Sequence, residues 1–233
     1  MKVLRICIRG LTASFRIPFA ITGVQLSLPV PPYSAILGMI SSCAGKNITE
    51  KDTQIGFEFT AESKAFDLER FIRWKYNTKR PGTPILNPDG PSVRQREFLI
   101  NPTLILYLTN LQLINAFQHP KGIITLGRSQ DLAWIESIDE IELIITQEGV
   151  IGGTLIPFDL CKSSGINGLL IRIPEIIEYD EKNLQRHPKN NTMFLATNTE
   201  KTKRSKIKLS NDLYTSKAFS PPQHCIYLHQ WMV

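Results

Sequence analysis

Cysteine is sparse and never clustered in this chain: Cys7, Cys43, Cys161 and Cys225 are spread over 233 residues with no C-x-x-C pair. Such spacing in a chain of this length excludes a disulfide scaffold or a paired-cysteine zinc site and predicts small buried hydrophobes in a reducing compartment. A long uninterrupted apolar run is also missing. Residues 17–45 hold no charged side chain, yet Pro18, Pro29, Pro31 and Pro32 break the segment and Gln25 dilutes it. A spanning helix needs about 20 predominantly apolar residues, so no membrane segment is expected. The opening MKVLRICIRG is not a signal peptide, because Arg5 and Arg9 interrupt any apolar core. The expected location is the cytoplasm. With 14 Gly and 15 Pro the chain has too little of either for a collagen-like or low-complexity protein. Its 42% hydrophobic residues suffice for a core that buries roughly 70–75% of the unfolded surface without a metal or cofactor.

Charge of one sign is missing from two stretches. Residues 1–49 contain no acid, and residues 131–159 contain seven acids and no base. Residues 70–96 set Arg70, Arg73, Lys75, Lys79, Arg80, Arg94 and Arg96 against Asp89 alone, and residues 182–208 set eight bases against Glu200. The net charge of +6 is therefore concentrated in blocks. Two basic blocks and one acidic block fit a protein that grips a polyanion on one side and a protein on another. In LERFIRWKYNTKRPG (68–82), Phe71, Trp74 and Tyr76 alternate with Arg73, Lys75, Lys79 and Arg80. Cations that neutralise phosphates, beside rings on which bases stack, are what single-stranded nucleic acid requires. A strand with an inward aromatic face and a solvated basic face explains the same pattern, and one hairpin accommodates both.

The periodicity predicts a strand over Val3–Ile8, a short helix over Ser34–Ala44 opened by a capping Ser34 and closed at Gly45, and a strand over Gln54–Thr60. Residues 68–77 and 93–108 read as two long strands joined by the turn RPGTPILNPDGP. A short helix over Leu132–Ser137 follows. Strands are expected at Glu140–Gln147, Gly153–Phe158 and Gly168–Ile173, with a turn at Glu148-Gly149. Residues 180–212 read as a polar, partly mobile loop, and Cys225–Trp231 as a closing strand. The class is α+β with a β-rich second half.

Catalytic patterns are scarce. Gly38-x6-Gly45-Lys46-Asn47 has the wrong spacing for a phosphate loop, and Asn47 stands where Ser or Thr must ligate magnesium. His224, Cys225 and His229 do not form the tight pairs of a structural zinc site, so no metal is expected. Glu140 and Glu142 share a strand face and read as a solvated edge. His119 and Lys121 keep one alternative open, because metal-independent RNA cleavage needs a base near the 2′-hydroxyl and a cation at the phosphate.

Three ordered segments carry a resemblance. GLTASFRIPFAITGVQLSLPVPPYSAILGMISSCAGK (10–46), RQREFLINP (94–102) and LGRSQDLAWI (126–135) resemble the Cas-five family of CRISPR surveillance (Cascade) subunits, of the I-B-like group. The resemblance implies a ferredoxin-like (RRM-like, RAMP) domain over 1–145 with a basic β-hairpin thumb at 68–108, and a smaller β-rich part over 146–233. It implies a non-catalytic subunit that holds the 5′ handle of the crRNA, caps the Cas-seven backbone filament, contacts the large Cas-eight subunit and meets target DNA through the complex. Carried onto this sequence, the RNA-binding positions are Arg16, Ser34, Arg73, Trp74, Lys75, Tyr76, Lys79, Arg80, Arg94, Gln95, Arg96, Gly127, Arg128 and Ser129. Gly127 would admit close backbone approach and Arg128 a phosphate. One branch of the family processes precursor RNA with a tyrosine near the end of the helix. Ala44 stands at that position here, which argues against that mechanism.

Overall fold

Alternation in the first strand sets the architecture. In β1 (Lys2–Gly10), Leu4, Ile6 and Ile8 are fully buried on one face, and Arg5, Cys7 and Arg9 alternate onto the other. The computed structural model describes all residues except 18–22, 73, 77, 78, 83, 87–91, 163, 181, 183, 184, 232 and 233. Short β2 (Thr12–Ala13), β3 (Phe15–Arg16) and β4 (Ser27–Leu28) lead into α1 (Tyr33–Ala44). Then come β5 (Ile55–Thr60), β6 (Ser63–Phe71), β7 (Trp74–Tyr76), β8 (Pro84–Leu86), β9 (Ser92–Ile100), β10 (Thr103–Leu108) and α2 (Ile114–Gln118). The second half holds β11 (Ala133–Glu142), β12 (Ile144–Ile151), β13 (Leu155–Pro157), α3 (Phe158–Cys161), β14 (Gly168–Asp180), β15 (Gln185–Thr197), β16 (Ser205–Thr215) and β17 (Ile226–His229).

A seven-stranded antiparallel sheet runs in the order β11-β1-β10-β5-β17-β16-β12. One face of it is covered by α1 and α2. Leu4, Ile6 and Ile8, with Leu104, Leu106 and Leu108 of β10 and Ile55, Phe57 and Phe59 of β5, meet Tyr33, Ile36, Leu37, Met39, Ile40 and Cys43 of α1 and Phe117 of α2. Each large aliphatic or aromatic side chain so buried contributes roughly 1.5–3 kcal/mol. β11 and β12 are separated in the chain by Leu143 alone, yet stand at opposite ends of the sheet. The sheet therefore curls upon itself, and Leu143 and Met1 exchange hydrogen bonds of 2.7 and 2.8 Å at the seam. Two hairpins leave this body. β6 and β9 pair from Ser63↔Ile100 to Phe71↔Ser92, with β7 and β8 paired beyond them. β14 and β15 pair over almost their whole length, from Gly168↔Thr197 to Asp180↔Gln185.

Several expectations need correction. Residues 93–108 are not one strand, because Asn101 adopts φ 47° ahead of Pro102 and turns the chain from β9 into β10. The hairpin thus spans 63–100, and β10 belongs to the main sheet. Ser34 does not cap α1: the cap residue is Pro32, with no side-chain bond, and Ser34 lies inside the first turn. Leu132–Ser137 is not helical, since Ala133–Glu142 forms β11 against β1. Glu148-Gly149 is not a turn but part of β12, paired with Lys208 and Ile207 of β16 just after a register shift between Thr146 and Glu148. The 153–158 strand shrinks to β13, while the 168–173 strand continues to Asp180. The polar loop at 180–212 is largely strand, comprising β15 and most of β16. Residues 185–187 are exposed throughout, so neither face of that part shows the alternation by which a strand is read.

Among the described residues no helix is long and apolar enough to cross a membrane. All four cysteines are buried and free.

Candidate nucleic-acid interface

The base of the 63–100 hairpin is built from four separate segments. The chain ahead of α1 runs beside β9: Gln25 N–H donates to Gln95 O at 2.8 Å, and Glu97 N–H donates to Gln25 O at 2.8 Å. Glu97, 4% exposed, ties the junction together. Its carboxylate accepts from Ser27 N–H at 3.1 Å and pairs with Lys64 at 2.8 Å, and its carbonyl accepts from Ser14 Oγ at 2.9 Å. Arg16, in register with Ser27, projects from this junction and is exposed.

The fourth segment is the turn at 127–131. Gly127 has φ +112°, and a Cβ there would collide with the Ser14 carbonyl oxygen. The position needs glycine for its own packing, whatever else approaches it. Arg128 donates from its backbone N–H and Nε to Asp131 Oδ2 at 3.1 and 2.9 Å, and from Nη2 to Oδ1 at 2.9 Å. Thr12 Oγ1 donates to the same Oδ1 at 2.6 Å. Asp131 is fully buried, and the Arg128 guanidinium carbon lies 5.7 Å from the centre of the Phe98 ring. Its hydrogen bonds to Asp131, with the nearby charges of Glu69 and Asp67, hold the Arg128 guanidinium above its ordinary pKa. Arg96 donates from Nε to Glu69 at 2.7 Å, with Nη2 2.6 Å away.

The structure thus gathers Arg16, Arg94, Gln95, Arg96, Gly127, Arg128 and Ser129 around one hairpin base. Arg96 and Arg128 are held there by carboxylates, whereas Arg16, Gln95 and Ser129 are exposed. Lys79 and Arg80 are exposed toward the far end of the hairpin. Trp74, Lys75 and Tyr76 lie on β7, and their side chains, like Arg73 altogether, fall outside the described residues. Ser34 is not part of this gathering. It lines a cavity of about 770 Å³ between α1 and the β14–β15 hairpin, together with Tyr179, Arg186 and Lys189, side chains that sequence reasoning did not single out. The sequence signal for Arg186 and Lys189 is the basic block at 182–208, and Tyr179 lies just outside it.

His119 and Lys121 are exposed after α2. Lys121 N–H donates to Cys43 O at 3.0 Å, and its side chain lies over Gly45, so it abuts the end of α1 where Ala44 sits. Burial pushes the Cys43 thiol up to about 11 and the Cys225 thiol up to about 12, so neither is a thiolate at neutral pH. His224 Nε2 is 2.8 Å from Glu58, and Arg204 bonds both, while the His229 ring stacks on Tyr33 at 4.1 Å. Among the described residues no three His, Cys, Asp or Glu side chains gather as metal ligands.

Residues 3–150 match the family model described as CRISPR-associated protein (Cas_Cas5). A comparison with curated proteins found no match. Among solved structures the chain is similar to one in a "CRISPR RNA-guided surveillance complex", with TM-score 0.54 and 13% identity over 86% of this chain and 92% of that one. It is also similar to a chain in "Cryo-EM structure of the Type III-B Cmr-beta bound to cognate target RNA", with TM-score 0.51 and 14% identity over 93% and 96% of the two chains. At such identities the likeness is one of fold.

Proposed function

Because the chain belongs to the CRISPR-associated Cas-five family, matched over residues 3–150, we propose that it is a non-catalytic RNA-binding subunit of an I-B-like Cascade complex in the cytoplasm. It holds the 5′ handle of the crRNA, caps the Cas-seven filament and adjoins the large Cas-eight subunit, reaching target DNA through the complex. The observation that carries this reading is the convergence of four segments at the base of the 63–100 hairpin, with Arg16, Gln95 and Ser129 turned to solvent. The chain path β1-α1-β5-β10-α2-β11, with its four strands ordered β11-β1-β10-β5, supports the ferredoxin-like reading. The hairpin between β5 and β10 then serves as the thumb, and its Lys79 and Arg80 reach phosphates beyond the base. Arg96 and Arg128 act as braces that keep the hairpin and the 127–131 turn in place.

The second reading is a metal-independent endoribonuclease, favoured by Lys121 abutting the end of α1 at Ala44. Both are tested by one titration and one incubation. Labelled handle RNA is titrated against the full chain at several salt concentrations, and repeat RNA is incubated with it in EDTA. The subunit reading expects binding without cleavage, and Arg16→Ala with Arg94→Ala should lower the salt slope by up to about two. Specific cleavage in EDTA that disappears in His119→Ala would overturn the non-catalytic reading.

A further inference from the structure

We propose that the groove between α1 and the β14–β15 hairpin is a second gripping surface for single-stranded RNA, with Arg186 as its phosphate contact and Tyr179 as its stacking ring. The inference rests on the RNA-binding function proposed above and extends it to an element that lies outside the 3–150 family match.

Two cavities adjoin in the groove. The larger, about 770 Å³, lies under the hairpin and is lined from Ser34 to Ser41. The smaller, about 350 Å³, is lined by Phe15, Thr125 and Gly127. Ala35, Gly38 and Arg186 line both, so the two meet at these residues, between the hairpin and the turn at the base of the thumb. Each part is of a size that holds small ligands, and two adjoining cavities offer a run of nucleotides more than one place to seat.

The chemistry of its walls fits RNA. Tyr179 is 54% exposed and lies directly opposite Arg186 across the hairpin ladder. Directly opposite residues share a face of the ladder, so ring and cation are presented side by side. Arg186 is exposed, and its side chain makes no hydrogen bond or ion pair with the described residues. Its charge is uncommitted, unlike that of Lys189, which is bound to Glu178 at 2.7 Å and lies 4.0 Å from Glu50. Lys189 therefore pins the hairpin to the loop after α1 and positions the other two. Lys51 adds a further exposed cation to the opposite wall.

Gly38 supplies an independent sign. It stands in the middle of α1, where glycine is less stable than alanine, yet a Cβ at this position would meet nothing within 4 Å. Packing within the chain does not ask for glycine here. The open helix backbone at the junction of the two cavities leaves room for a sugar-phosphate chain to pass closely.

The test uses the full chain and labelled single-stranded handle RNA, read by fluorescence anisotropy at several salt concentrations. Arg186→Ala should weaken binding and lower the salt slope by about one, and Tyr179→Ala should weaken it roughly fivefold or more while Tyr179→Phe does not. Gly38→Leu should block binding, and Gly38→Ala, whose Cβ meets nothing within 4 Å, should bind RNA with an unchanged or higher melting temperature. If the unaltered chain does not bind RNA, the proposed function and this groove fall together. If it binds, and Arg16→Ala weakens it, but the Arg186, Tyr179 and Gly38→Leu variants bind as the unaltered chain does, the groove alone is overturned.

Discussion

Replacing Arg128 by alanine separates two roles that one arginine could play. As a phosphate contact, its loss would leave the fold intact and lower the salt slope of RNA binding by about one. As the brace seen here, its loss leaves Asp131, fully buried, with only the Thr12 hydroxyl at 2.6 Å and the backbone N–H of residue 128 at 3.1 Å. Breaking a buried ion pair from one side costs about 3–5 kcal/mol, against about 0–1 kcal/mol for an exposed pair. The Arg128 side chain is 11% exposed, so the buried figure applies, and the two remaining donors hold the cost near its lower end of about 3 kcal/mol. For a domain of this size that corresponds to a fall in Tm of roughly 6–12 °C. The same value should appear in urea unfolding as a lower midpoint at unchanged m. Arg128→Lys should recover only part of it, because an ammonium cannot reproduce the two-pronged contact to both carboxylate oxygens. The double variant Arg128→Met with Asp131→Leu should be less destabilised than Asp131→Leu alone, since it removes the orphaned charge along with its partner. A variant Arg128→Ala with the original urea midpoint and a salt slope lowered by one would refute the brace and restore the phosphate role.

Gly127→Ala should cost at least about 2 kcal/mol in urea unfolding, from its φ of +112° and the collision with the Ser14 carbonyl; an unchanged midpoint would contradict the close approach. Native Cys43 and Cys225 should resist a thiol reagent at pH 8, with about one Cys43 in a thousand ionised, while the unfolded chain reacts at all four cysteines; rapid native modification of either would show that they are not buried. Because burial raises both thiols, the unfolded chain loses these protons first. Their contribution to stability is intact below about pH 8.5 and is lost as pH rises toward 11 and 12, which unfolding midpoints measured from pH 8 upward will report.

The parts of the fold that are legible in the sequence are those in which a run of apolar side chains enters the core. β1, α1, β5 and β17 each do so, and the expected bounds of each lie within two residues of the observed ones at either end. The first half of β11 reads as a helix over Leu132–Ser137 in the sequence, and its last residues as part of a strand over Glu140–Gln147. β11 is an edge strand with most of its side chains half-buried or exposed, and pairing with β1, more than a hundred residues away, makes it a strand. β15 was misread as a loop because the outer part of its hairpin meets solvent on both faces, so backbone hydrogen bonds hold it without leaving an apolar pattern.

The amino-acid sequence by itself determined the family, the α+β class, the two basic blocks and the position of the basic hairpin, because each is written in composition or in order along the chain. Only the tertiary structure decided how those charges are used. Asp131 lies three residues from Arg128, but Thr12 and Phe98 reach that pair from distant segments, and Glu69 reaches Arg96 across the hairpin. It also laid Tyr179 and Arg186 over α1. An arginine's role depends on which carboxylate, ring or open groove stands within a few ångströms of it, and that is a property of the folded chain, not of any local run of residues.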